Sequence, residues 1–407
     1  MVGEELEADF TALVHGGYAL GRLADGRALF AACLLPGERA RIRLTESRPG
    51  YARGELVELL TSSPERIAPR CRHFTSCGGC HYQHLNTAFQ RAVKETVLRE
   101  QLRRLGGVAD PPLEPTAASP RDWNYRNHVQ FHLTAGGRLG FKAFRSERLI
   151  AVEECHLPEP ELNVLWPALD PLALAPLAER PSAGSSRVIL RRGTSGPPLI
   201  WVRPSGGAPP AGPSLEFHLP GGRFRVSPGS FFQVNTPLAA SLAQRAAAIV
   251  REALGAGCHR AAVLDLYCGV GLFSRYVADF VGRVIGVESS PAACADYRYN
   301  LRECAHAELL QGRVEEVLPS LDRRPEAVIA DPPRAGLGAG AARAIAALRP
   351  SWLVYVSCDS ATLARDARQL VRSGYILCSI TPFDLFPQTY HLETLSVWRP
   401  ADRAAAR

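Results

Sequence analysis

From residue 226 onward, short apolar segments alternate with helical patterns, and this alternation is the strongest constraint on the fold. The helical stretch NTPLAASLAQRAAAIVREAL precedes the apolar segment AAVLDLYC, and a glycine turn, a helix and the strand VGRVIGVE follow. Such alternation is typical of a parallel sheet with helices on both faces. A short loop joins the last two strands, so we expect an antiparallel edge there. The sequence therefore predicts an α/β domain over residues 226–407.

Residues 1–60 have a different pattern, in which apolar and polar positions alternate between glycine breaks. This pattern predicts short strands that form a small β-barrel. Such barrels either bind single-stranded nucleic acid or support neighbouring domains, and the pattern does not separate the two roles. Residues 61–225 are expected to form a central domain, in which Asn86 caps a helix. Within it, residues 168–215 are rich in Pro, Ala, Gly and Ser, which predicts a poorly structured insert.

Composition narrows the class of protein. The chain has 407 residues, of which 46% are hydrophobic and 21% are charged, as in ordinary globular proteins. No signal-peptide pattern follows Met1, and no apolar run reaches the ~18 residues that cross a membrane, so we expect a cytoplasmic protein. The net charge of +7 fits an acidic partner such as RNA, although the surplus is spread thinly. No feature indicates a protein partner.

Acidic side chains follow three of the predicted parallel strands. Asp265 begins a glycine turn after the first strand, Glu288 ends the second, and Asp331 ends a third. Gly269 and Gly271 would let a ligand approach the backbone, and an acidic residue on the second strand can accept hydrogen bonds from ribose hydroxyls. Ligands of open parallel sheets bind beyond the carboxyl ends of the strands. The pattern therefore predicts a nucleoside-binding site; the alternative is an ordinary tight turn beside a surface glutamate.

Two further motifs place reactive side chains at strand ends. YVSCDSATLARD puts Cys358 after an apolar strand, and HLETLSVW puts Glu393 just before the last strand. Together these features resemble the bacterial RNA 5-methyluridine methyltransferases, especially those acting on large-subunit ribosomal RNA. The resemblance covers nearly the whole chain. Its motifs are SFFQVN at 230–235, DLYCGVG at 265–271, DPPR at 331–334, VSC at 356–358 and HLE at 391–393.

The resemblance implies a Rossmann-like class I S-adenosylmethionine-dependent methyltransferase domain, an N-terminal TRAM-like barrel and a central iron–sulfur α+β domain. In such enzymes a thiolate adds to C6 of uracil, C5 then attacks the methyl group, and a base removes the C5 proton. The resemblance assigns Cys358 as the nucleophile and Glu393 as the base. Cys268 on the glycine turn is a rival nucleophile, which the resemblance places at the cofactor instead.

The resemblance also implies residues that bind the two substrates. Phe231 matches an aromatic residue that stacks on the flipped uracil, and the alternative for this side chain is a place in the core. Arg126 is a second candidate for binding the RNA. The residues expected to contact S-adenosylmethionine are Gln233, Tyr267, Glu288, Asp331, Asp265, Gly269 and Gly271.

Eleven cysteines are many for a protein expected in a reducing compartment. Cys71, Cys77 and Cys80 lie within ten residues, and Cys155 follows far downstream. Four thiolates can hold a [4Fe–4S] cluster or a zinc ion, and their spacing does not decide between the two. The resemblance of CGGCHYQH to the family's cluster motif indicates iron and sulfur. Because methylation requires no electron transfer, we expect the cluster to serve structure or RNA docking.

Methylation of 23S rRNA is the function that the sequence favours. The same chemistry on the TΨC-loop uridine of tRNA is the nearest competing function. The cysteine cluster and the barrel favour ribosomal RNA, because the compact tRNA enzymes of the family lack both. Two further functions stay open. The chain could be a non-catalytic RNA-binding iron–sulfur protein, or a methyltransferase for proteins or small molecules, which would not need Cys358.

Overall fold

A closed β-barrel forms the N-terminal part of the protein. The computed structural model describes residues 2–134, 137–169, 186–203, 212–321 and 324–401. Buried and exposed residues alternate along the barrel strands, because successive side chains point to opposite faces of the sheet. The predicted barrel is confirmed. Its strands pair in the order β1-β2-β3-β5-β4 and are β1 (Glu5–Val14), β2 (Tyr18–Arg22), β3 (Ala28–Ala32), β4 (Arg39–Ser47) and β5 (Tyr51–Thr61).

The helix α1 (Thr87–Gln101) follows the cysteine-rich segment and contacts two cores. Its N-cap is Asn86, whose Oδ1 accepts a hydrogen bond from the Phe89 backbone N–H at 2.8 Å, as predicted. Val93 packs into the core of the barrel, whereas Leu98 packs into the core beside the C-terminal sheet. The helix therefore joins the barrel to the C-terminal domain.

A second sheet occupies the middle of the chain. The prediction of a poorly structured insert over 168–215 is wrong for two segments, which form the strands β9 (Arg187–Arg191) and β10 (Leu199–Arg203). The strand β9 pairs with strands on both sides and buries Val188 and Leu190. The rest of that prediction, at 170–185 and 204–211, lies outside the described residues. The strand order is β10-β9-β6-β7-β8, and the elements are β6 (His128–Leu133), β7 (Leu139–Lys142), β8 (Leu149–Ala151), α2 (Pro160–Leu165), β9 (Arg187–Arg191) and β10 (Leu199–Arg203).

A hairpin of β11 (Leu215–Leu219) and β12 (Gly222–Val226) leads into the C-terminal sheet. This sheet has the order β15-β14-β13-β16-β17-β19-β18, and apolar clusters cover both of its faces, which confirms the predicted α/β fold. Its strands are β13 (Ala262–Leu266), β14 (Arg283–Glu288), β15 (Ala307–Gln311), β16 (Ala327–Ala330), β17 (Trp352–Ser357), β18 (Tyr375–Phe383) and β19 (Glu393–Pro400).

The direction of the last strand matters for the site. The expected antiparallel pairing of the final two strands is confirmed, but β19 inserts between β17 and β18 and is antiparallel to both. None of the helices in the described ranges is long and apolar enough to cross a membrane. The helices of this domain are α3 (Thr236–Leu254), α4 (Leu272–Ala278), α5 (Pro291–Asn300), α6 (Val314–Val317), α7 (Gly338–Leu348) and α8 (Ser360–Arg372).

Candidate active site

A cleft of about 1060 Å³ opens at the carboxyl ends of the parallel strands. It lies where the strand order reverses between β13 and β16, which is the place where open α/β sheets bind ligands. Predicted site residues that line it are Arg126, Phe231, Gln233, Tyr267, Gly269, Glu288, Asp331, Cys358 and Glu393. The structure therefore brings together predicted residues that are up to 267 positions apart in the chain.

The turn after β13 owes its shape to backbone conformations that few residues adopt. Tyr267, Gly269 and Gly271 have φ angles of 59°, 55° and 91°. At Gly271 a Cβ atom would also lie 2.5 Å from the Leu301 Cδ1. Gly271 does not line the cleft, so its part in the structure is to shape the turn.

Asp265 lies beneath this turn and does not line the cleft. Its Oδ2 accepts hydrogen bonds from the backbone N–H and the hydroxyl of Ser274 at 2.9 and 2.6 Å, which ties the strand end to α4. Burial raises the pKa of Asp265 to about 7, because the charged carboxylate is removed from water. The structure thus gives Asp265 a role in holding the turn.

Glu288 closes the cleft on the side of β14. Its Oε2 accepts from the Gly269 N–H at 3.1 Å, and its Oε1 accepts from the N–H groups of Ser289 and Ser290, each at 2.7 Å. These bonds orient the carboxylate between the glycine turn and the start of α5. A carboxylate in this position can accept hydrogen bonds from the ribose hydroxyls of a nucleoside.

Gln233 and Asp331 meet in the middle of the cleft, where a hydrogen bond from Gln233 favours the charged form of Asp331. Burial and the nearby charge of Asp265 nevertheless raise the pKa of Asp331 to about 7. Phe231, two residues before Gln233, is 69% exposed. The interpretation of Phe231 as a core residue is therefore wrong, and its ring is accessible from the cleft.

Asp296 on α5 holds the segment that carries Phe231. Its fully buried carboxylate accepts from the hydroxyl of Ser230 at 2.6 Å and from the backbone N–H of Ser227 at 2.7 Å. Arg225 pairs with the same carboxylate at 2.8 Å. Charge-assisted bonds of this kind restrain the chain just before the exposed aromatic ring.

Cys358 and Glu393 lie at the end of two paired antiparallel strands. The ladder between β17 and β19 ends with Ser357 opposite Thr394, and Cys358 and Glu393 are the chain neighbours of that last pair. Both side chains line the cleft, and the charge of Glu393 acts on the Cys358 thiol. Glu393 is 2% exposed, and its Oε1 has no hydrogen-bond partner within the described structure. This oxygen is therefore free to accept a proton from a bound ligand.

The electrostatics of this pair disfavour charge. Burial, followed by the charge of Asp331, raises the pKa of Glu393 well above its usual value. Burial and the charges of Glu393 and Asp331 raise the pKa of Cys358 to about 12, and the guanidinium of Arg334 acts in the opposite direction. The unliganded site thus favours the neutral forms of both the Cys358 thiol and the Glu393 carboxyl group.

Arg334 also packs on His391 at the rim of the cleft. Its Nη2 lies 2.9 Å from Nδ1 and 2.6 Å from Nε2 of the imidazole. Burial, together with the charge of Arg334, lowers the pKa of His391 to about 2, so the imidazole is neutral. Cys268, the rival nucleophile, is 5% exposed, and burial raises its pKa well above the ordinary value. Cys358 has the more accessible thiol of the two, since it is only partly buried.

The four predicted metal ligands line a second cavity of about 280 Å³. Cys71, Cys77 and Cys80 come from the irregular segment before α1, and Cys155 comes from the segment after β8. Burial raises the thiol pKa of Cys80 to about 12 and that of Cys155 to about 11. Within the described residues, no three His, Cys, Asp or Glu side chains form a group that could hold a metal ion.

Arg126 lines both the cleft and the cysteine cavity, so its guanidinium lies between them. Sequence reasoning did not find the buried ion pair of Lys94 and Asp384, which joins α1 to the loop before Glu393. The one sequence signal for this ion pair was the rarity of lysine. Lys94 and Lys142 are the two lysines of the chain, and its other basic side chains, apart from histidine, are arginines.

The chain is similar to known RNA methyltransferases along nearly its whole length. Residues 221–399 match the tRNA (Uracil-5-)-methyltransferase family, and residues 1–57 match the TRAM domain. An RNA methyltransferase of Gloeobacter violaceus is 32% identical, over 97% of this chain and 96% of the relative. The 23S rRNA (uracil(1939)-C(5))-methyltransferase RlmD of Edwardsiella ictaluri is 31% identical, over 93% of this chain and 92% of the relative.

A solved structure shares the fold along nearly the whole chain. The Pyrococcus abyssi tRNA (uracil-54, C5)-methyltransferase, in complex with S-adenosyl-L-homocysteine, superposes with a TM-score of 0.69 at 22% identity. The match covers 97% of this chain and 100% of that structure. The chain belongs to the family of S-adenosylmethionine-dependent RNA (uracil-5-)-methyltransferases that carry a TRAM domain.

Proposed function

We propose that this enzyme methylates C5 of a uridine in 23S rRNA through a covalent adduct between Cys358 and C6 of the uracil. The observation that carries the proposal is that Cys358 and Glu393, at the end of the β17–β19 ladder, line one cleft and interact electrostatically. A nucleophile and a base inside one cleft can act on adjacent carbons of one ring.

The chemistry assigns each group a step. The thiol of Cys358 loses its proton to water, the thiolate adds to C6, and the π electrons of the C5–C6 bond move to form an enolate. C5 then attacks the methyl group of S-adenosylmethionine, the bond from this methyl group to sulfur breaks, and S-adenosylhomocysteine is released. Glu393 removes the proton from C5, the C5–C6 double bond forms again, and the thiolate leaves. A carboxylate with a raised pKa is a stronger base, so burial suits Glu393 for this last step.

Both substrates have candidate binding groups in the cleft. Glu288 can accept hydrogen bonds from the ribose hydroxyls of S-adenosylmethionine, and Gln233 and Asp331 line the same cleft as Glu288 and Cys358. Phe231 offers an exposed ring on which a uracil can stack after it leaves the RNA helix. Stacking contributes about 1–3 kcal/mol per base, which offsets part of the cost of flipping.

The ribosomal substrate is supported by the 31% identity to the 23S rRNA enzyme over nearly its whole length. A tRNA substrate is supported by the shared fold of the tRNA (uracil-54, C5)-methyltransferase. Mapping 5-methyluridine in 23S rRNA and tRNA, from cells with and without this gene, separates the two. Loss of the modification from 23S rRNA alone supports the proposal, whereas loss from tRNA alone contradicts it.

We also propose that Cys71, Cys77, Cys80 and Cys155 hold a [4Fe–4S] cluster. The four thiols share one cavity of about 280 Å³, far larger than the ~15 Å³ of one water-sized probe, so the cavity has room for a polynuclear group. The ligands of such a cluster bind different iron atoms, whereas zinc draws four ligands to a single point. Protein purified without air should be brown, with absorbance near ~400 nm and about four irons per chain. A colourless protein with one equivalent of zinc would overturn this assignment.

The covalent step is tested with RNA that contains 5-fluorouridine at the target position. Fluorine at C5 leaves no proton for Glu393 to remove, so the adduct should persist through denaturation. Mass spectrometry should then locate the RNA on the peptide that contains Cys358. If the RNA is methylated by the enzyme but no linkage to this sulfur is detected, the mechanism is wrong.

A further inference from the structure

The loop between β18 and β19, residues 384–392, is unusually well buried for a connection. Asp384 is fully buried and Gln388 is 2% exposed, whereas loops usually lie on the surface. Glu393 begins the next strand directly after this loop. Whatever holds the loop therefore also restrains the proposed base.

The first set of restraints comes from α1. Lys94 donates through Nζ to the Asp384 Oδ1 at 2.6 Å and to the Phe386 carbonyl at 3.1 Å. Gln90 and Gln388 pair reciprocally: the Gln388 N–H donates to the Gln90 Oε1 at 2.9 Å, and the Gln90 Nε2 donates to the Gln388 Oε1 at 3.0 Å. Buried pairs of this kind are costly to leave incomplete, so they specify one loop position.

The second set comes from the segment that follows Cys80. The backbone N–H groups of His81 and Tyr82 both donate to the Gln388 carbonyl, at 2.8 and 3.0 Å. Gln388 itself has a φ of 69°, in the left-handed region that non-glycine residues rarely adopt. A residue keeps such a conformation only where its surroundings require it. Both α1 and the cysteine-rich segment therefore hold the loop through hydrogen bonds to Gln388.

We propose that Gln90, Gln388 and the residues after Cys80 form a clamp that positions Glu393 for removal of the C5 proton. This inference rests on the proposed function of Cys358 and Glu393. Gln90 and Gln388 are positioning residues, since they act through the loop. The clamp also gives the cysteine-rich segment a part in the reaction that requires no electron transfer.

The clamp should act on elimination more than on addition. Cys358 belongs to a different connection, between β17 and α8, where the Asp359 side chain accepts from the N–H groups of Ala361 and Thr362 at 3.0 Å. Glu393 stays paired with Phe383 at the end of the β18–β19 ladder, so loosening the loop changes the restraint on its N-terminal side and leaves the turn after Cys358 in place. A loosened clamp should therefore permit the covalent adduct to form and delay its resolution.

The test replaces Gln90 by methionine, which has a similar volume but cannot form these hydrogen bonds. Gln101→Met is the matched control, because it makes the same change on α1 at a residue whose Oε1 has no hydrogen-bond partner in the described structure. Single-turnover reactions of the full-length holoenzyme, with an RNA that the wild type methylates, measure adduct formation and product release separately. Hydrogen exchange of residues 384–392 is measured on the same proteins.

In Gln90→Met we expect adduct resolution to slow by about tenfold, with adduct formation changed by less than about threefold. Exchange in the loop should increase in this variant and not in Gln101→Met. Equal slowing of both steps, unchanged resolution or unchanged exchange would each overturn the clamp. In the last two cases Cys358 would still form its adduct, so the proposed function would survive.

A second variant covers the case in which Gln90→Met does not fold. Gln388→Gly removes the bond from the Gln90 Nε2 to the Gln388 Oε1 and keeps the one from the backbone N–H, at a φ angle that glycine adopts without strain. It should show the same selective delay in adduct resolution. Wild-type resolution in a folded Gln388→Gly protein would contradict the proposal.

Discussion

Cys358 and Glu393 are the chain neighbours of Ser357 and Thr394, the last pair of the antiparallel ladder between β17 and β19. The pairing of these two strands therefore brings the proposed nucleophile and base to the same end of the sheet. Both neighbouring strands belong to the core of the sheet, where Val356 and Leu395 are fully buried. The two strands beneath the site are fixed by the core of the sheet. The loop before Glu393 is held by side-chain hydrogen bonds, which substitutions can remove.

The two cysteines of the cleft should respond differently to substitution. Cys358→Ala should reduce methylation by roughly 10⁴-fold or more, because no thiolate remains to activate C5. Cys268→Ala should keep turnover, since its thiol is buried beneath the cofactor turn. Transfer of a labelled methyl group to RNA measures both variants. Turnover that depends on Cys268 and not on Cys358 would reverse the assignment.

Glu393→Gln should separate the two halves of the reaction. The amide fits the same space but cannot take the C5 proton, so product release should slow by roughly 10²–10⁴-fold. Methylated RNA should then accumulate as an adduct with Cys358 that survives denaturing electrophoresis. Glu252→Gln, an exposed position on α3 that does not line the cleft, is the control. Release of free product at the wild-type rate would show that another group is the base.

The ionisation of Cys358 gives a prediction about pH. With a pKa raised to about 12, its thiolate fraction grows about tenfold per pH unit over the neutral and mildly alkaline range. Alkylation of Cys358 by iodoacetamide, followed by mass spectrometry, should therefore keep accelerating through about pH 10. At alkaline pH, where Glu393 is ionised, Glu393→Gln removes a negative charge beside Cys358, so alkylation at a fixed alkaline pH should be faster. A plateau in the wild-type protein near neutral pH would contradict the prediction.

Phe231 should contribute to binding of the flipped base. Phe231→Leu keeps an apolar side chain but removes the aromatic face, and should lower kcat/KM for RNA by about ten- to a hundredfold. Phe231→Tyr keeps the ring and should retain most of the activity. The KM for S-adenosylmethionine should change little in either variant. Equal activity of the Leu and Tyr variants would exclude a stacking role.

Local sequence patterns were sufficient to predict most helices and strands and many of the candidate site residues. Alternation in residues 1–60 predicted the barrel, Asn86 marked the start of α1, and the strand–helix repeat predicted the α/β domain. Once strands are parallel, their carboxyl ends share one edge, so Glu288 and Asp331 were expected at one cleft. These conclusions depend on hydrophobic periodicity and on the residue types at the ends of helices and strands. Both signals can be read from one local stretch of the sequence.

Features that depend on pairing between distant segments were decided by the tertiary structure. Composition predicted a poorly structured insert where β9 lies between β10 and β6 in a sheet, because a short strand buried by its neighbours has no clear pattern of its own. The insertion of β19 beside β17 brought Glu393 into the same cleft as Cys358, and the contact between Lys94 and Asp384 spans 290 residues. Strand order and buried ion pairs arise from packing of the whole chain, and no local stretch of sequence encodes them.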